Sequence, residues 1–74
     1  MLFRSHSYTD TLLKNENELN AKLMEEAEEL TQTATRNETI WEAADLFYFM
    51  MVTLESKGCT WQEVLYELQG RQKQ

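Results

Sequence analysis

One stretch dominates the folding problem of this chain. From Glu38 to Glu55, apolar residues fall on every side of a helix: Ile40, Trp41, Ala43, Ala44, Leu46, Phe47, Tyr48, Phe49, Met50, Met51, Val52 and Leu54. A helix that is apolar all round has no solvent face, so it belongs at the centre of a bundle or at an interface. The chain has 74 residues, which leaves few neighbours to cover it. Chains this short also bury a smaller share of their surface than larger domains, and they usually need a staple. Cys59 is the one cysteine, which excludes an internal disulfide. A metal, a partner copy or both remain.

The rest of the chain reads as helix too. There is no proline and there are two glycines, Gly58 and Gly70, a scarcity of breakers that argues for long helices over a many-turned β fold. Residues 1–74 read as a single all-α domain, an antiparallel helical bundle completed by dimerisation or a higher homo-oligomer. Thr9 to Leu13 form a short helical turn. Asn15 followed by Glu18 marks a helix start, and Leu19, Leu23, Ala27, Leu30 and Ala34 recur at helical spacing, which predicts a helix over about 16–35. Thr35, Arg36 and Asn37 make the connection, with Asn37 capping the next helix. Lys57 and Gly58 end that helix. Thr60 with Glu63 is a capping box, with Cys59 and Val64 at staple positions. Trp61, Val64, Leu65 and Leu68 give the last helix a buried stripe, and residues from Gly70 onward fray.

Composition excludes several functions. The net charge is -6, from 13 acidic and 7 basic side chains, and nucleic-acid binding needs a basic footprint. The longest uncharged apolar run, Leu46 to Leu54, is far short of the ~20 residues that span a bilayer. No secretory signal is visible in residues 1–15, and a lone cysteine suits a reducing compartment. A cytoplasmic protein without nucleic-acid or membrane partners is expected.

Two acidic clusters carry the chemistry, Glu25-Glu26-Ala27-Glu28-Glu29 and Glu42-Ala43-Ala44-Asp45. Acids three or four apart share a helix face, which pairs Glu26 with Glu29 and Glu42 with Asp45. At about 3.6 residues per turn, Glu26, Glu29 and Lys22 flank the apolar stripe. Glu28 points to solvent, and Glu25 lies further round, fit only for an outer shell. Glu42 and Asp45 interrupt an otherwise apolar helix, so they must be buried or line a cleft. The pairs Glu26–Asp45 and Glu29–Glu42 are both centred between Thr35 and Arg36, so a hairpin there brings four carboxylates together. Such charges repel, and Mg²⁺, a hard cation that accepts a few carboxylates and reaches out to phosphates, resolves the conflict. Either cluster alone reads as ordinary solvated charge. The combination is stronger, because unpaired carboxylates in a core helix are costly.

At these residues the chain resembles the phosphoribosyl-ATP pyrophosphohydrolases. Ser7-Tyr8-Thr9 followed by Leu12-Leu13 resembles that family's Ser-Tyr-Thr segment. Lys22 with Glu25-Glu26-Ala27-x-Glu29-Leu30 resembles its Lys-x-x-Glu-Glu-x-x-Glu helix, and Glu42-Ala43-Ala44-Asp45-Leu46-Phe47-Tyr48 its Glu-Ala-Ala-Asp-Leu-Leu-Tyr helix. Gly58 to Leu65 matches the closing pattern. The carboxylate motif alone marks only the wider all-α nucleoside triphosphate pyrophosphohydrolases. Phe49 stands where the family often has histidine, a variant similar to versions embedded in multifunctional histidine-biosynthesis proteins. Six residues precede Ser7, too few for the family's leading helix, so an excised or truncated domain of a larger multifunctional chain is expected.

The resemblance implies Mg²⁺-dependent hydrolysis of phosphoribosyl-ATP to phosphoribosyl-AMP and pyrophosphate. Glu26, Glu29, Glu42 and Asp45 are the metal-ligand candidates, and Glu25 is the candidate for orienting or deprotonating water. Lys22 is a candidate phosphate contact, or else an ion-pair partner of Glu26 or Glu29. Arg4, Ser7, Tyr8 and Thr9 resemble the substrate-contacting segment, or else make an ordinary helix start. Trp41, Phe47, Tyr48, Phe49, Met50 and Met51 read as core or dimer interface. Two rivals stand beside this reading: a housekeeping pyrophosphohydrolase acting on other nucleotides, and a non-catalytic helical dimerisation module.

Overall fold

The computed structural model describes the backbone of residues 6–72 and the side chains of residues 8–71, and every regular element in that range is an α-helix. The helices are α1 (His6–Lys14), α2 (Glu16–Thr31), α3 (Arg36–Ser56) and α4 (Trp61–Gln72).

Local chemistry sets most of the boundaries. The Glu18 N–H donates to Asn15 Oδ1 at 3.1 Å, so Asn15 caps α2 as its sequence predicts. At the far end α2 stops at Thr31, short of the expected 35. The Thr33 hydroxyl donates to the Leu30 carbonyl at 3.0 Å, satisfying an acceptor that another helical turn would have used. Thr35, not Asn37, then caps α3. The Glu38 N–H donates to Thr35 Oγ1 at 3.1 Å and the Thr35 N–H to Glu38 Oε1 at 3.3 Å. This reciprocal pair satisfies two otherwise orphaned donors, and it leaves Asn37 inside the helix.

At the end of α3, Gly58 takes a φ of +74°, a conformation open to glycine at little cost. The Cys59 N–H then reaches the Leu54 carbonyl at 2.8 Å and the Gly58 N–H the Glu55 carbonyl at 3.1 Å, the two bonds of a Schellman stop. The Thr60–Glu63 box opens α4, with the Thr60 N–H donating to Glu63 Oε1 at 2.7 Å. α4 continues past Gly70 to Gln72, so fraying does not begin there. Arg71 Nε holds Glu67 Oε2 at 3.1 Å across one turn.

The core joins α1, α2 and α3. Leu12, Leu19, Phe49 and Val52 are buried together, with Tyr8, Leu13, Leu23 and Tyr48 packed around them. Each such apolar side chain contributes about 1.5–3 kcal/mol when fully buried. This packing explains why α1 extends well beyond the single turn expected at Thr9–Leu13. The expected buried stripe of α4 is not formed: Leu65 and Leu68 are exposed, and Trp61 and Val64 are half-buried. Trp61 meets Phe47 edge-on, with ring centroids 5.5 Å apart. α3 is thus covered on one side only, and Ile40, Trp41, Phe47 and Met51 remain exposed. No helix among the described residues is long and apolar enough to cross a membrane.

Candidate metal site

α2 and α3 make the most extensive contact between helices, and the acids lie along it. One oxygen from each of Glu26, Glu42 and Asp45 falls within 4.8 Å of the other two, and the same holds for Glu25, Glu26 and Glu29. Glu26 belongs to both groups. It is 6% exposed, a buried charged side chain.

The connection now lies at residues 32–35, so its midpoint precedes the centre expected from sequence. Glu26 accordingly meets Glu42 as well as Asp45. Glu25 is closer than helix phase implies. Its chain is long enough to bring a carboxylate oxygen round to Glu26 and Glu29. Glu28 faces solvent, as phase predicts.

The electrostatics are those of unneutralised crowding. Among the described residues, Glu26 Oε1 and Glu42 Oε2 are buried without a hydrogen-bond partner, and Asp45 Oδ1 is also shut off from solvent. Desolvation is the largest influence on Glu26 and raises its pKa above the usual carboxylate value, with the charges of Glu29 and Asp45 adding to the rise. Desolvation likewise raises Glu29, with Glu42 the next cause, and raises Glu42, with Glu26 beside it. An oxygen-only donor set, desolvated and short of positive charge, fits a hard divalent cation.

Among the described residues Lys22 is the nearby cation, but it pairs with Glu25, its Nζ 3.6 Å from Oε2. The expected partners were Glu26 and Glu29, whose carboxyls Lys22 pulls down only as a lesser influence. Its Nζ also stands 6.0 Å from the centre of the Phe49 ring, close enough for a cation–π attraction.

The α1 candidates divide. Arg4 and the side chain of Ser7 lie outside the described residues. The Tyr8 ring stacks on Tyr48 with centroids 6.4 Å apart and planes 16° apart. The Thr9 Oγ1 and Tyr48 Oη hydroxyls are hydrogen-bonded at 2.7 Å. Sequence reasoning placed Tyr48 among the core or interface aromatics and missed this bond. The available signal was its position three residues after Asp45, on the same helix face.

Compared with known proteins, residues 3–72 match the model of the family described as Phosphoribosyl-ATP pyrophosphohydrolase. The chain is 45% identical over 58 residues to the histidine biosynthesis trifunctional protein of Kluyveromyces lactis, covering 78% of this chain and 7% of that protein. The figures for the trifunctional protein of Saccharomyces cerevisiae are the same, 45% over 58 residues, with 78% and 7% covered. The histidine biosynthesis bifunctional protein HisIE of Wolinella succinogenes is 40% identical over 70 residues, covering 89% of this chain and 31% of that protein. The chain therefore spans a small part of the length of these relatives. No solved structure matches it significantly.

Proposed function

Because the chain belongs to the phosphoribosyl-ATP pyrophosphohydrolase family, we propose that it hydrolyses phosphoribosyl-ATP to phosphoribosyl-AMP and pyrophosphate in histidine biosynthesis, with Mg²⁺ as cofactor. The observation that carries this reading is the meeting of Glu26, Glu42 and Asp45 oxygens within 4.8 Å, two of those residues having a buried oxygen that no hydrogen bond satisfies.

Glu26, Glu29, Glu42 and Asp45 would hold the cation. The chemistry supplied by bound Mg²⁺ is compensation of the charge that develops on the triphosphate oxygens. The remaining roles fall to side chains along α1 and α2. Glu25, at the solvent edge of the cluster, takes the proton of the attacking water. The water oxygen joins phosphorus, the bond between the α and β phosphates breaks, and its electron pair leaves with pyrophosphate. Lys22 exchanges Glu25 for a phosphate oxygen. Arg4, Ser7, Tyr8 and Thr9 bind the substrate. The hairpin of α2 and α3 is antiparallel in this reading, and a second copy of the chain covers the open flank of α3.

Pyrophosphate release from phosphoribosyl-ATP, ATP and dUTP, each with and without Mg²⁺, tests the proposal. Mg²⁺-dependent release with phosphoribosyl-ATP preferred is the expected result. Equal turnover of ATP or dUTP points instead to a housekeeping pyrophosphohydrolase. No turnover of any nucleotide by the folded chain with Mg²⁺ present refutes the enzyme reading.

A further inference from the structure

We infer that Tyr48 is a positioning residue, whose hydroxyl fixes the start of α1 relative to the carboxylate cluster and so sets how firmly substrate is held. The inference rests on the proposed hydrolase reading, in which Tyr8 and Thr9 contact substrate.

Three observations carry it. First, the hydrogen bond between Thr9 Oγ1 and Tyr48 Oη is 2.7 Å long and joins side chains 39 residues apart in a part-buried setting. A hydroxyl withdrawn from water is costly unless paired, so this bond favours one placement of α1 over others that bury similar apolar area. Second, packing alone does not require the hydroxyl. The neighbouring Phe49 is fully buried and meets Tyr8 edge-on at 6.5 Å, so an unsubstituted ring at position 48 would still stack on Tyr8. Third, Tyr48 and Asp45 lie three residues apart on α3, on one face and about 4.5 Å apart along the helix axis. One rigid helix thereby holds a carboxylate of the cluster and the anchor of Thr9. A shift of α1 therefore changes the distance from Thr9 to the carboxylate cluster.

The test compares the 74-residue chain with Tyr48→Phe, Thr9→Val and the double variant. Pyrophosphate release from phosphoribosyl-ATP gives KM and kcat, and calorimetry with Mg²⁺ alone gives the metal affinity. Tyr48→Phe is expected to raise KM about fivefold, the worth of one net hydrogen bond, and Thr9→Val at least as much, because it also removes a proposed substrate contact. The kcat of Tyr48→Phe should stay within about twofold of the parent, as for an interaction made equally in ground and transition states. Mg²⁺ affinity should be unchanged. The double variant should be no worse than Thr9→Val, because the Tyr48 hydroxyl acts through Thr9. If Tyr48→Phe is unfolded at the assay temperature, the same kinetics taken at a lower temperature, below its melting transition, carry the test.

An unchanged KM, fully additive losses, or a fall in kcat at constant KM overturns the positioning role while the parent still turns over. A parent that releases no pyrophosphate overturns the hydrolase reading and this inference with it.

Discussion

Glu26 on α2 and Glu42 on α3 each bury one carboxylate oxygen, Oε1 and Oε2 respectively, that has no hydrogen-bond partner among the described residues. Both carboxyls titrate above their usual value, desolvation being the main cause, and Glu29 beside them does the same. The contact is therefore a local opponent of folding at neutral pH, opposed among the described residues by the small core of Leu12, Leu19, Phe49 and Val52.

A pH dependence follows, and its sign is fixed. A carboxyl whose pKa is higher in the folded than in the unfolded chain keeps its proton longer when folded. Stability then falls as pH rises from the ordinary carboxylate range through the raised values. In EDTA the chain should melt at a higher temperature near pH 5 than near pH 7. Glu38 acts oppositely, because the Ala34 and Thr35 N–H groups hold its carboxyl low. Its contribution is complete above the ordinary range and is lost only as pH falls below it, outside this window. Mg²⁺ should flatten or reverse the slope, since protons compete with the metal for the same oxygens. Melting curves across this range with and without Mg²⁺ provide the check, and rising stability with pH in EDTA contradicts the crowding.

Thr35→Ala tests the boundary that the capping box sets. It removes the acceptor for the Glu38 N–H and should cost about 1 kcal/mol, a fall in melting temperature of roughly 4–8 °C for a domain of this size. Stabilisation by Mg²⁺ should persist, because no carboxylate of the cluster is touched. Thermal melting with and without Mg²⁺ measures both. Asn37→Ala, in contrast, should leave the melting temperature within a few degrees, as that residue caps nothing.

How much of this was legible in the sequence depended on how local the cause was. Asn15, Gly58 and the Thr60–Glu63 box act within a few residues, and each stands where the pattern puts it. The Thr35–Glu38 box was equally local, but Asn37 offered a competing cap, and spacing alone could not rank the two. Helix phase brought Glu26 on α2 to Glu42 and Asp45 on α3. It misplaced Glu25, because phase describes where a side chain starts and not how far it reaches. The Tyr48–Thr9 bond links positions 39 residues apart, and spacing within α3 puts Tyr48 on the face of Asp45 without naming its partner on α1. The apolar stripe of α4 was read correctly as a stripe and wrongly as buried, because periodicity identifies a face without supplying its cover.

That uncovered surface predicts self-association. Ile40, Phe47 and Met51 recur along one side of α3 and are all exposed, and Trp41 beside them is 64% exposed. Contiguous apolar patches of this kind mark interfaces more often than solvent-facing surface. Sedimentation at micromolar concentration should show a dimer or larger species. Met51→Glu should shift it to monomer while the far-ultraviolet helix signal is retained. A stable monomer for the parent chain contradicts the prediction.

The most discriminating substitution is Glu42→Gln. Gln preserves the shape of the side chain, removes one charge from the cluster and adds an N–H donor for a neighbouring carboxylate. If the cluster exists to hold a cation, the metal-free variant should melt no lower than the metal-free parent, because a repulsive contact has been relieved. The stabilisation by Mg²⁺ should then be largely lost. For the parent that stabilisation is about 2.7 kcal/mol when free Mg²⁺ stands a hundredfold above its dissociation constant. Pyrophosphate release should fall by on the order of a hundredfold or more, as when an electrostatic partner of a transition state is removed. Four melting curves, parent and variant in EDTA and in Mg²⁺, with the release assay alongside, separate the outcomes. A variant that melts well below the parent in EDTA makes Glu42 a structural hydrogen-bonding group. A variant that keeps both the Mg²⁺ shift and full activity removes Glu42 from the metal site.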